Sequence, residues 1–154
     1  MSNMPEVDLR ILRELIRDGR QSNAQLAEAV GLSASQCWQR VKKLENSGVI
    51  QGYGARIDHE ALGAPETVLI ELALDRNEGF EVAAVCSQLA RFPEVLEVRM
   101  TSGEFDIFVK VVVSGTRGYE AFLRERLYKI SGIRQSRSSF SLRSYKNEVS
   151  TVPF

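Results

Sequence analysis

The chain is poor in reactive side chains: 154 residues hold one histidine, His59, and two cysteines, Cys37 and Cys86. So few soft ligands cannot build a metal cluster, and the thiols form neither a disulfide framework nor a Cys-x-x-Cys motif. Acid–base or nucleophilic catalysis needs convergent titratable groups, which this inventory does not supply, so the reading is of a non-enzyme without a cofactor. Net charge is also missing, with 20 basic residues against 20 acidic ones. The global positive field of many nucleic-acid binders is therefore absent, and local clustering has to carry any such role. No apolar run approaches the roughly 18–20 residues that span a bilayer, and residues 1–10 carry acids rather than a signal-peptide core. A cytoplasmic protein with no membrane partner is expected. A hydrophobic content of 44% with 26% charged residues is that of a folded domain, not a disordered chain.

The chain changes its period partway along. From Val7 to Ile50 apolar residues recur at helical spacing, whereas from Thr67 onward two-residue alternation appears between further helical stretches. The division expected is residues 1–55, a linker at 56–66, and 67–154; the stretch 52–66 holds three glycines and Pro65. In the first part Leu9, Ile11, Leu12, Leu15 and Ile16 form one apolar face, which Asp18-Gly19 terminates. Ser22-Asn23-Ala24-Gln25 reads as a capping box opening a short helix that Gly31 ends. Ser33-Ala34-Ser35-Gln36 repeats the pattern and opens a third helix that Gly48 closes. Two short helices joined by a tight Gly-containing turn make a helix-turn-helix, and "VIQGY" after Gly48 reads as a short extended piece of a wing.

On the third helix, at 100° per residue, Cys37, Val41 and Leu44 fall on one side. Ser35, Gln36, Gln39, Lys42, Lys43 and Asn46 gather on the other, and Trp38 and Arg40 lie on the flanks, as packing residues or backbone contacts. Polar residues facing water are the rule on an amphipathic helix. Here Arg40, Lys42 and Lys43 stand against Glu45 alone, and glutamine can bond adenine edges bidentately. The expected DNA-contacting set is Ser33, Ser35, Gln36, Trp38, Gln39, Arg40, Lys42 and Lys43. Ser35, Gln36 and Gln39 would reach base edges of double-stranded DNA, and the cationic residues its phosphates.

In the second part "TVLIELAL" places Val68, Ile70, Leu72 and Leu74 on one face. "VLEVRM" does so with Leu96, Val98 and Met100, and "FDIFVKVVV" with Phe105, Ile107, Val109, Val111 and Val113. A helical stretch with Phe80, Ala83, Ala84 and Leu89 separates the first two. Another, with Tyr119, Phe122, Leu123, Leu127 and Ile130, precedes a last extended run through Phe140 and Leu142. The order β-α-β-β-α-β is the ferredoxin-like motif, an α+β fold, with its middle hairpin turning at "TSGE" through Gly103.

These residues carry a resemblance. "GLSASQCWQRVKKLENSGVIQGYGARIDHEALG", "GEFDIFVKV" and "ISGIRQSRSSFSL" resemble the leucine-responsive/asparagine-type (Lrp/AsnC, feast/famine) transcriptional regulators over nearly the whole chain. The resemblance implies an N-terminal winged helix-turn-helix that binds operators as a dimer. It also implies a C-terminal βαββαβ domain that senses an amino-acid effector and builds dimers, commonly octamers. The effector crevice it implies is lined by the Gly-x-x-Asp hairpin, here Met100, Thr101, Ser102, Gly103, Glu104, Phe105 and Asp106, with Ser136, Arg137 and Ser138 from the last strand. Ser131 stands where such sequences often have proline, and Ser102 where threonine often precedes the glycine. Two rivals are an RNA-binding module, opposed by Phe105 and Phe108 pointing to opposite faces, and a ligand sensor that binds no DNA.

Overall fold

The computed structural model describes residues 4–75 and 81–152. The chain forms two compact units, one of residues up to Arg56 together with those from Lys146 onward, the other Ile57–Tyr145. The residues from Lys146 thus cluster with the first unit, whereas the sequence division placed them with the second; Arg56 donates to the Asn147 carbonyl at 2.8 Å.

The first unit contains α1 (Glu6–Arg17), α2 (Asn23–Val30) and α3 (Ala34–Asn46). Ser22 and Ser33 both form full capping boxes, with Gln25 and Gln36 as the reciprocal partners. Gly31, at φ 70°, supplies the left-handed residue that ends α2 so that α3 can start at once. Asn23 Nδ2 donates to the Ala34 carbonyl at 2.7 Å and ties the starts of the two helices together. The core is Ile11, Leu26, Ala27, Val30, Cys37 and Leu44, with Leu12, Leu15, Val41 and Ile50 packed around it. The apolar face of α1 differs from expectation: Ile16 is 41% exposed. The inward stripe runs Asp8, Ile11, Leu12, Leu15, the i, i+3, i+4, i+7 set, which puts Leu9 and Ile16 on its flank. No strand forms at "VIQGY": residues 47–65 contain none. Val49 and Ile50 instead donate to the Leu44 carbonyl, and Ile50 packs on the core, so the segment folds back on α3 without a strand beside it to pair with.

The second unit runs β1 (Glu66–Leu74), α4 (Val82–Leu89), β2 (Val95–Met100), β3 (Ile107–Val113), α5 (Gly115–Glu125), a single 3-10 turn at Leu127–Lys129, and β4 (Ile133–Phe140). The sheet order is β2-β3-β1-β4 with every pair antiparallel. Val68, Ile70, Leu72 and Leu74 face Val109, Val111 and their neighbours on the side covered by Val85 and Leu89 of α4 and Phe122 of α5. Complete burial of each such side chain contributes about 1.5–3 kcal/mol. Phe80 lies outside the described residues.

Two alternations fail locally. A register shift between Val95 and Glu97 inserts Leu96 as an extra residue, so Val95 and Val98 meet the core while Leu96 and Met100 are exposed. Phe105 is buried but does not join the helix-covered core; the Arg137 guanidinium lies 4.6 Å from its ring centre. It precedes the regular part of β3, where the two-residue period does not yet hold.

Candidate DNA-reading helix and effector hairpin

Each expected residue of α3 has a defined surrounding. Ser33 and Gln36 are bound to one another: the Gln36 side-chain oxygen accepts from the Ser33 backbone at 3.3 Å and from its hydroxyl at 3.0 Å. Gln36 thus keeps only its amide nitrogen for a base. Ser35, Gln39, Lys42, Lys43 and Asn46 are exposed, as is Trp38 at 55%. Trp38, Gln39, Lys42, Lys43, Asn46 and Ser47 line a shallow open groove. Asn46, absent from the expected contact set, belongs to that stripe by its i+3 and i+7 spacing from Lys43 and Gln39.

Arg40, expected as a phosphate contact, is engaged within the unit. Its guanidinium donates to Asp8 of α1 at 2.8 Å, and the Asp8 side chain is only 8% exposed. It ties α3 to α1. The signal was available: a carboxylate within the apolar stripe of α1 calls for a cationic partner. Lys42 pairs with Glu45 at 2.7 Å; that hydrogen bond, helped by one from Tyr53, holds the Glu45 carboxyl below its usual range against partial burial. With Arg40 and Lys42 neutralised locally, Lys43 is the one cation of α3 with no ion-pair partner among the described residues. Lys43→Ala is accordingly expected to weaken binding to every DNA sequence alike and to flatten the salt slope by about one unit per protomer engaged, read from a salt titration of fluorescence anisotropy.

The Cys37 thiol faces the core and burial pushes it up, so it stays protonated and unreactive.

In the second unit the hairpin turns at Gly103, whose φ of 129° suits glycine. Thr101 clamps the turn, its hydroxyl donating to the Phe105 carbonyl at 2.7 Å and its amide to the Asp106 carbonyl at 2.9 Å. Ser102, Gly103 and Glu104 are exposed at the tip, and Met100 is 62% exposed beside it. The Asp106 carboxylate accepts from the Leu74 amide at 2.8 Å, closing the end of β1. The expected set divides between faces. Arg137 sits on the helix-free face with Phe105, its Nε donating to Glu71 at 2.7 Å. Ser136 and Ser138 are opposite Leu72 and Ile70 on the helix-covered face, where Ser138 bonds the Tyr119 hydroxyl. Burial raises the Tyr119 hydroxyl above its usual range, with that bond opposing. Glu71 went unnoticed in the sequence, although its place between Ile70 and Leu72 puts it on the open face. Among the described residues no group of three metal-ligating side chains occurs, and no helix is long and apolar enough to cross a membrane.

Comparison with known proteins bears on both halves. The family model described as winged helix-turn-helix DNA-binding matches residues 4–51, and that described as Lrp/AsnC ligand binding domain matches residues 67–151. The chain is similar to the Bkd operon transcriptional regulator of Pseudomonas aeruginosa, 36% identical over 144 residues, 94% of each chain. Among solved structures, an AsnC family transcriptional regulator from Agrobacterium tumefaciens aligns with TM-score 0.89 and 33% identity over 97% of each chain. A transcriptional regulator from Neisseria meningitidis in complex with L-methionine aligns with TM-score 0.89 and 26% identity, again over 97% of each. A helix-turn-helix with an exposed polar stripe, followed by a β-α-β-β-α-β ligand domain and matched along nearly its whole length, makes this chain a member of the Lrp/AsnC family of DNA-binding transcriptional regulators, which are not enzymes.

Proposed function

We propose that the chain binds operator DNA by placing α3 in the major groove, and that an amino acid held at the Ser102–Asp106 hairpin changes that binding. The observation that carries the DNA reading is the exposed stripe of Trp38, Gln39, Lys42, Lys43 and Asn46 on a helix whose other face is locked into the core. Ser35 and Gln39 read base edges, and Lys42 and Lys43 set the register on phosphates once Lys42 leaves Glu45. Work on DNA gives the chain a cytoplasmic location.

The effector reading is supported by the methionine complex of the neisserial relative and by the hairpin. At Gly103 the backbone can approach a small ligand closely, and the Asp106 carboxylate can take an ammonium group. Thermal shift with the common amino acids tests it: a ligand at 100 times its Kd adds about 2.7 kcal/mol of stability. A screen in which no amino acid moves the midpoint would remove the reading.

One small head with few phosphate contacts binds weakly, so affinity comes from joining heads. The helix-free face of the sheet exposes parts of Leu69 and Phe108 beside Lys110 and Arg137, and a second copy covers it in this proposal. Further assembly toward an octamer builds on that pair. Light scattering at micromolar concentration should give a dimer or a multiple of it, and Phe108→Arg a monomer with operator affinity lowered by about 100-fold or more. A monomeric parent protein would contradict this.

A further inference from the structure

α3 carries one large apolar side chain that its own unit leaves in the open. Trp38 is 55% exposed, although Cys37 beside it is fully buried and Val41, three residues on, packs on the core. Those two contacts fix the rotation of the helix and with it the direction of the indole. The exposed residues around it, Ser35, Gln39, Lys42 and Asn46, are all polar or charged. The indole N–H makes no hydrogen bond among the described residues, so no polar contact accounts for its position either. Trp38 stands in the second turn of α3, in the half of a recognition helix that comes nearest the bases. At 3.6 residues per turn it lies about 100° round the helix from Gln39 and about 40° from Lys42. With Ser35, Gln39 and Asn46 toward the floor of the major groove, Trp38 and Lys42 face the same wall.

We propose that Trp38 is a specificity-determining residue that reads thymine, by packing its indole against the C5 methyl group in the major groove; the inference rests on the placement of α3 proposed above. That methyl is the one alkyl group a base pair presents there. It projects from the outer part of the base edge, close to the backbone of its own strand, whereas the hydrogen-bonding groups that suit Gln39 lie nearer the middle of the groove. An apolar side chain facing the wall beside a glutamine facing the floor therefore matches a thymine methyl next to an adenine edge. Lys42, on the same side of the helix, takes a phosphate of that wall and brings the indole over its base edges. Packing on sugar and phosphate alone would leave the indole indifferent to sequence.

Deoxyuridine removes the methyl and keeps both the pairing and the O4 acceptor. Fluorescence anisotropy with an operator from the protein's own upstream region, its thymines replaced singly by deoxyuridine, should show at least one position where the parent loses about fourfold in affinity for each head engaged. Trp38→Ala should bind the thymine and deoxyuridine duplexes equally, and Trp38→Phe, which keeps an apolar ring, should retain most of the difference. Each ratio is taken within one protein, so a variant of lowered stability still reports it. The proposal is overturned if no replacement weakens the parent, or if Trp38→Ala keeps the parent's loss. It is overturned too if Trp38→Ala weakens operator and random duplex alike while the parent shows no methyl effect. In each of these cases an operator-specific loss in Gln39→Ala still upholds the reading by α3, so the two fail separately. A parent that prefers no operator over a random duplex overturns both.

Discussion

Arg40→Ala is expected to destabilise the first unit by about 2–3 kcal/mol, because it leaves the Asp8 carboxylate buried without its donor. Arg40 is itself 39% exposed, which keeps the effect below the range for a fully buried pair. Asp8→Leu combined with Arg40→Met should recover most of the loss, since replacing both partners removes the uncompensated charge. Urea denaturation of the single and double variants measures this coupling. The same variants decide the role of Arg40 on DNA. As a link between α1 and α3 it affects operator affinity through the orientation of the helix, and the salt slope stays as in the parent. A phosphate contact would give the opposite result, an unchanged denaturation midpoint and a slope flatter by about one unit.

Asp106 carries the other large effect, and its two roles separate by substitution. Asp106→Asn keeps an oxygen for the Leu74 amide and removes the charge, so the fold should hold while the effector's influence on operator affinity disappears. That influence corresponds to a coupling of about 1–3 kcal/mol, or roughly 5- to 150-fold in affinity. Asp106→Ala should lose the same response and in addition about 1–3 kcal/mol of stability in the second unit, from the unpaired Leu74 amide. Ligand-free operator binding should stay within a few fold in Asp106→Asn, since the change lies in the unit that does not read DNA. A full effector response in Asp106→Asn places the effector elsewhere.

The helix boundaries and strand faces were legible where one local rule acted alone. Ser22 with Gln25 and Ser33 with Gln36 fix two helix starts by reciprocal hydrogen bonds, and Val68, Ile70, Leu72 and Leu74 follow the pleat without interruption. Where a long-range partner intervenes, the pattern misleads. Leu96 reads as inward until the bulge opposite Lys110 displaces it, and Phe105 reads as core until Arg137, 32 residues on, covers it from the other face. Arg40 reads as a free cation because its partner lies 32 residues earlier, on another helix. At the candidate sites, residue types and their stripe on α3 were readable, while the commitment of side chains to one another was not. The Gln36 oxygen is taken by the cap, Lys42 by Glu45, and Ser138 by Tyr119.

Whether the outer stripe of α3 reads base edges is decided by parent and Gln39→Ala affinities on an operator from the protein's own upstream region and on a random duplex at one salt concentration. Gln39 is exposed and its side chain makes no hydrogen bond among the described residues, so the variant should lose about 1–3 kcal/mol on the operator and almost nothing on the random duplex. Equal losses on both duplexes, or no loss on either, would contradict base reading by this helix.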